Sequence, residues 1–217
     1  MFRYLRLPAF LGLALLAALF IAALAHVPQD RQAQAQPLPV GDIVFMIDES
    51  GSMDEDIADV QANVNNIASQ LGASVDFQLG LVGFGAFDGH HGTTYSGESH
   101  IHTALTSDVG AFSTAVGELV DNGSFEPGFQ ATVLGMSNAM GFRAGAGVCG
   151  ILITDEDADI EAYAPETKAD ALAALNSRNA ALIAIVDGTS GSTAADYGPN
   201  AGSLAGRSTL DLARLAY

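Results

Sequence analysis

The chain has 217 residues, with 25 acidic against 8 basic side chains, a formal net charge of −17 and one cysteine. That length favours a single α/β-sized domain with ample chain for a core. The charge excludes nucleic acid and anionic lipid as natural partners, and a lone Cys149 excludes an intrachain disulfide.

From the amino terminus, Arg3 and Arg6 precede an uncharged apolar run, Ala9 to Ala25, and then a polar Gln- and Ala-rich stretch. This is the order of a secretory signal, with small-residue cleavage sites at Ala23-Leu24-Ala25 and Ala33-Gln34-Ala35. Retained, the run would anchor the chain, being only slightly shorter than the ~20 residues that cross a bilayer. The expected organisation is therefore a signal peptide or membrane anchor plus linker over 1–36 and a domain over 37–217. Such a protein is secreted or extracytoplasmic and meets a membrane only through that first segment. From Gln36 onward five basic residues face twenty-four acids, which suits solubility outside the cell.

Strands and helices then alternate, the pattern of a parallel sheet with crossover helices. A strand is predicted over Asp42–Ile47 and a helix over Asp56–Leu71, where Ile57, Val60, Val64, Ile67 and Leu71 recur at three and four. A strand over Phe77–Phe84 leads through a Gly- and His-rich turn to a short antiparallel edge strand near Ile101–Leu105. Helices over Val109–Val120 and Ala131–Phe142, a buried strand over Gly150–Thr154, a helix over Pro165–Ser177 and a strand over Ala181–Val186 follow. A Gly/Ser/Thr/Ala loop, Gly188–Gly202, with a helical turn at Thr193–Tyr197, precedes a last strand over Ser208–Leu212. The expected fold is α/β: a doubly wound, mostly parallel central sheet with helices on both faces and one antiparallel edge strand.

The first strand runs into Asp48-Glu49-Ser50-Gly51-Ser52-Met53. One carboxylate and two hydroxyls at alternate positions, at the carboxyl end of a strand, can aim three oxygens at one point in the crevice where open α/β sheets bind ligands. Mg²⁺ wants small oxygen donors at octahedral corners and keeps some waters, so this shell is compact and incomplete. The pattern resembles the metal-ion-dependent adhesion site of von Willebrand factor A domains. From about Gly41 to Leu212 the chain is most similar in motif to the A-like domain of integrin β subunits. By that resemblance Glu126, in Glu126-Pro127-Gly128-Phe129-Gln130-Ala131, reaches the main metal, and Asp155, after Ile151–Thr154, supplies the last carboxylate through a bound water. The metal set is then Asp48, Ser50, Ser52, Glu126 and Asp155, holding Mg²⁺ or Mn²⁺. Glu55 and Asp56 fall on an adjacent Ca²⁺ site of integrin β subunits, although acids at a helix start are also favoured by the dipole. A third integrin β site would need side chains where Asp121 and Gly123 stand. Other A domains use a threonine in place of the glutamate, and Thr132 is the alternative ligand. By the same resemblance, Asp88–Ser99 stand for the integrin β insertion that chooses the ligand, with Asp88, His90, His91, Tyr95 and Glu98 as partner contacts, and Leu210 to Tyr217 stand for the first turn of a closing helix, without the rest of which one sheet face would be poorly covered.

His100 and His102 share a face if Ile101 is on a strand. With His90 or His91 they make a Zn²⁺ or Cu²⁺ site conceivable, but a solvated hairpin is the expectation. Glu156, Asp157 and Asp159 read as a solvated acidic turn, and Cys149 as a small buried hydrophobe. The function expected is non-catalytic: a domain that binds a protein partner's carboxylate through the metal. The alternatives are a metal-dependent hydrolase, disfavoured by motif loops without lysine or arginine to meet developing negative charge, and a module whose metal only stabilises the fold.

Overall fold

The computed structural model describes residues 38–72, 74–186 and the backbone of 211–214. The expected signal or anchor segment and the Gly188–Gly202 loop lie outside those residues. No helix among the described residues is long and apolar enough to cross a membrane.

Strand β1 (Val40–Asp48) is buried on both faces from Ile43 onward, as a central parallel strand must be. It lies between β2 (Asp76–Phe84) and β4 (Gly147–Thr154), parallel to both. β5 (Ala181–Val186) adds in parallel to β4. β3 (His100–Thr106) pairs antiparallel with β2, as the edge strand was expected to. The order is β3-β2-β1-β4-β5-β6, where β6 (Asp211–Arg214) pairs antiparallel with β5. A second antiparallel edge was not foreseen, because a short apolar run reveals a strand and not its direction.

Alternation along β1 divides the core. Val44 and Met46 pack with Val82, Phe84 and Leu152 under α3 (Gly128–Gly135) and α4 (Lys168–Ser177). Ile43, Phe45 and Ile47 pack with Leu79, Leu81, Ile57 and Phe112 under α1 (Asp54–Gly72) and α2 (Val109–Val116). On the α1 face, Phe45, Ile151, Ile153 and Ile185 join Asp56, Asp59, Val60, Asn63 and Ile67 around a groove of about 270 Å³.

Three helices differ from their expected spans by three residues or more. α4 begins at Lys168 and not at Pro165, because Thr167 caps it with Asp170. α2 stops at Val116 because the chain turns at Gly117 and sends the Val120 N–H to the Glu49 carboxylate, 3.0 Å away. α3 begins three residues early, after Pro127, and ends at Gly135; the expected continuation is a separate 3₁₀ turn, Asn138–Met140, closed by Gly141 at φ 76°. Past that turn, at the amino end of the sheet, Arg143 donates from its backbone N–H (2.7 Å) and Nε (2.8 Å) to the fully buried Asp42.

Candidate cation site and histidine cluster

Because β1 and β4 are parallel and in register at Ile47 and Ile153, their carboxyl ends deliver Asp48 and Asp155 to one edge. Asp48 is fully buried. Its Oδ1 accepts from the Ser50 N–H at 2.8 Å, and its Oδ2 accepts from the Thr154 hydroxyl at 2.6 Å. The Ser50 and Ser52 hydroxyls stand 3.1 Å apart, and Ser52 Oγ donates to Asp155 Oδ1 at 3.2 Å. Beside them Gly85 has φ 90°, and a Cβ there would be 2.5 Å from Asp48 Oδ1, so only glycine lets β2 pass the carboxylate.

The segment leading to Glu126 is stitched to this turn. Gly51 N–H donates to the Gly123 carbonyl at 3.1 Å, and the N–H groups of Asn122 and Gly123 donate to the Glu49 carbonyl at 3.1 and 3.3 Å. A Cβ at Gly123 would overlap the Gly85 carbonyl, so only glycine fits at this crossing. Glu126 follows, buried to 8% exposure. Its N–H donates to Asp159 Oδ2 at 3.2 Å, and its carbonyl accepts from the Asp159 N–H at 3.0 Å. Asp159 is therefore a fixed support for the Glu126 loop, not the merely solvated acid expected.

Two buried carboxylates face each other's field here. Burial pushes Asp48 up to about 7, against the opposing hydrogen bonds from Thr154 and Ser50. Burial first, then the charge of Asp48, pushes Glu126 up to about 8. A neighbouring cation would offset that cost and favour the ionised form of both groups. The oxygen-only donor set fits a hard divalent ion such as Mg²⁺.

The other sequence candidates separate. Thr132 is buried within α3, and its hydroxyl donates to the Gly128 carbonyl at 2.9 Å. Glu55 is exposed, its N–H capped by Asp54 at 2.7 Å, while Asp56 is half-buried at the α1 groove. In the proposed specificity loop Asp88 and Tyr95 are exposed. Tyr95 stacks on Tyr163 at 4.5 Å, and Glu98 Oε2 accepts from the Thr94 and Tyr95 N–H groups at 2.8 and 3.2 Å.

His90 and His91 behave differently, and the solvated-hairpin expectation is overturned. Their rings turn inward to meet those of His100 and His102, whose side chains are 6% and 0% exposed, around the fully buried carboxylate of Glu49. Burial alone would raise Glu49, but hydrogen bonds from His100 and His102 outweigh it and hold the carboxyl at about 2. Desolvation lowers both His90 and His91. Glu49 is the residue that motif reading missed. Its signal was the alternation of an extended turn, which sends residue 49 away from 48 and 50, together with Gly83 inside an apolar strand, a mark of close approach.

The von Willebrand factor type A domain model matches residues 42–196. The chain belongs to that family. Among solved structures, this A domain is similar to proximal thread matrix protein 1 from the mussel byssus, with 18% identity and a TM-score of 0.52 over 69% of this chain and 38% of that one. It is also similar to the pilus adhesin SpaC from Lactobacillus rhamnosus GG, with 20% identity and a TM-score of 0.50 over 69% of this chain and 24% of that one. The A domain thus spans well under half the length of either. No curated protein matches it.

Proposed function

We propose that this is an exported, non-catalytic A domain that binds Mg²⁺ or Mn²⁺ through Asp48, Ser50, Ser52 and Glu126, with Asp155 acting through a water. Through that ion it binds a carboxylate of a protein partner. One observation carries the reading: the fully buried Asp48 carboxylate, the Ser50 and Ser52 hydroxyls and Asp155 converge at one sheet edge, with the buried Glu126 in the field of Asp48. The bound ion would supply positive charge to that edge. The chain's own residues hold the oxygens in place and leave corners that water, and then a partner acid, can take. A partner carboxylate at such a corner gains an ion pair that solvent weakens little once the interface closes.

The byssus protein and the pilus adhesin share the fold alone, so the partner's chemistry follows from the site. Support for binding over hydrolysis comes from the basic side chains. Arg143 is engaged with Asp42 and Asp76, and Arg178 with the Met136 carbonyl and Asn138. Neither contact set belongs to the cation edge. The integrin β type of site is favoured over the threonine type by the Glu126 carboxyl, which lies in the field of Asp48. Glu55 and Asp56 remain the proposed Ca²⁺ ligands, and Asp88, Tyr95 and Glu98 the proposed partner contacts.

The test is capture of proteins from extracellular material by the full chain. Binding should vanish in EDTA, return with Mg²⁺ or Mn²⁺, and be lost in Ser50→Ala. A partner held equally well in EDTA and by Asp48→Ala would overturn the mechanism.

A further inference from the structure

Four imidazoles and one carboxylate meet just behind the cation turn. His90 and His91 come from a 3₁₀ turn, His90–Gly92, in which His91 holds a left-handed φ of 49°. That conformation is uncommon without glycine and persists only where the surroundings fix it. His100 and His102 come from alternate positions of β3, and Glu49 from the turn after β1. The strand between them is bare where the carboxylate passes. A Cβ at Gly83 would overlap Glu49 Oε2 and stand 2.6 Å from His102 Nε2.

The spacing is close to that of a coordination shell, with the widest pair a few tenths of an ångström too far apart. One ligand atom from each of the four histidines lies within 4.8 Å of the others. His100 Nε2 is 3.1 Å from His102 Nε2 and 3.0 Å from Glu49 Oε2. His102 Nε2 is 3.2 and 3.3 Å from the two Glu49 oxygens, and His90 Nε2 is 3.3 Å from Oε1. Donors held at about 2.0–2.1 Å around one ion sit roughly 3.0 Å apart at octahedral corners and roughly 3.4 Å apart at tetrahedral ones.

Hydrogen bonding alone does not satisfy this arrangement. A neutral imidazole donates through one nitrogen only. The approach of His100 and His102 therefore needs one Nε2 to donate and the other to accept. Whichever accepts then faces a Glu49 oxygen lone pair to lone pair. Protonating both rings instead sets two N–H groups against each other. His90 Nε2, near Glu49 but not aligned for a hydrogen bond, and His102 Nδ1 are both buried without a hydrogen-bond partner. A cation between the rings removes the conflict at Nε2, because the Nε2 lone pairs of His90, His100 and His102 and the carboxylate then face positive charge. His100 Nδ1 is then free to donate to the Glu98 carbonyl, 3.2 Å away, the kind of outer contact that orients a metal-bound histidine.

We infer that His90, His91, His100 and His102, with Glu49, form a second metal centre for a divalent transition-metal ion of the Zn²⁺ class. Nitrogen donors in this number select such an ion over Mg²⁺ or Ca²⁺, which prefer all-oxygen shells. The centre joins the 88–99 loop to β3 and to the turn after β1, so the ion would also set the shape of the surface proposed to meet the partner.

Calorimetric titration of the full chain with Zn²⁺ in excess Mg²⁺ should show one ion bound per chain. X-ray absorption of the Zn²⁺-loaded protein should show nitrogen and oxygen neighbours at about 2.0–2.1 Å with imidazole scattering. His100→Ala and His91→Ala should each weaken Zn²⁺ binding by about a hundredfold or more, beyond the loss of a supporting contact, and Gln70→Ala, on the exposed face of α1, should leave it unchanged. His91, the most exposed of the four rings, keeps the test decisive if His100→Ala fails to fold. Zn²⁺ binding that Mg²⁺ competes away, or that survives His91→Ala undiminished, would overturn the assignment, and neither result depends on Mg²⁺ occupying the Asp48 site.

Discussion

Replacing Asp48 with asparagine should stabilise the cation-free domain at pH 8 and abolish its response to Mg²⁺. Burial moves the carboxyl from 3.8 to about 7, a displacement that costs the folded state on the order of 4 kcal/mol once the group must ionise. The folded form binds this proton more tightly than the unfolded chain. Its penalty is therefore absent below the unfolded pKa, grows as pH rises between the two values, and is complete by pH 8. Asparagine keeps an oxygen for the Ser50 N–H. Its amide can meet the Thr154 hydroxyl, which then turns its own proton to the Glu156 carbonyl at 3.4 Å. Allowing for relaxation around the charge and for loss of the charged hydrogen bond, a gain of about 2 kcal/mol remains, or roughly 4–8 °C in Tm. Mg²⁺ at about one hundred times Kd should stabilise the natural protein by about 2.7 kcal/mol and the variant not at all. Thermal melts by circular dichroism in EDTA and in Mg²⁺, at pH 8 and pH 5, measure both effects, and the EDTA gain should shrink at pH 5. An asparagine variant that is less stable in EDTA at pH 8, or that Mg²⁺ still stabilises, would refute the reasoning.

Glu126→Ala should weaken Mg²⁺ binding more than Thr132→Ala, because the Glu126 carboxyl lies in the field of Asp48 while the Thr132 hydroxyl serves Gly128; calorimetry on both variants decides, and the reverse order would favour the threonine type of site. Arg143→Ala should cost about 3 kcal/mol in urea unfolding, since it strips the fully buried Asp42 of its charged partner. Mg²⁺ affinity should be untouched in that variant, whose site lies at the other end of β1.

The sheet was legible because its strands announce themselves. Ile43–Ile47, Ile151–Thr154 and Ala181–Val186 are continuous apolar runs, as strands buried on both faces must be. The loop carrying Glu126 was legible only by likeness to a family motif, since nothing in its composition says that Gly123 and Asn122 would bond back to the Glu49 backbone. The Asp42–Arg143 pair went unread because its partners are a hundred positions apart and either alone looks like a surface charge. The histidines were visible as residues but not as a cluster, for a related reason. His90 and His91 reach His102 only because His91 adopts a left-handed turn and Gly83 leaves room, and a polar, glycine-rich sequence gives no sign of either.

Neighbouring residues of one turn thus face two chemistries. Asp48, Ser50 and Ser52 offer oxygen to a hard cation, while Glu49 between them reaches imidazole nitrogens. The backbone at Glu49 also ties three segments together: its N–H donates to the Phe84 carbonyl at 2.6 Å, and its carbonyl accepts from Asn122 and Gly123. Any shift of this turn must move the two sets of ligands together, because packed interiors transmit small displacements instead of absorbing them. Ser52, exposed at the rim, makes its side-chain hydrogen bonds within the cation edge, to Ser50 and Asp155. A change at Ser52 therefore reports on the cation edge alone, whereas a change at Glu49 perturbs the histidines, the Glu126 loop and the Val120 N–H at once.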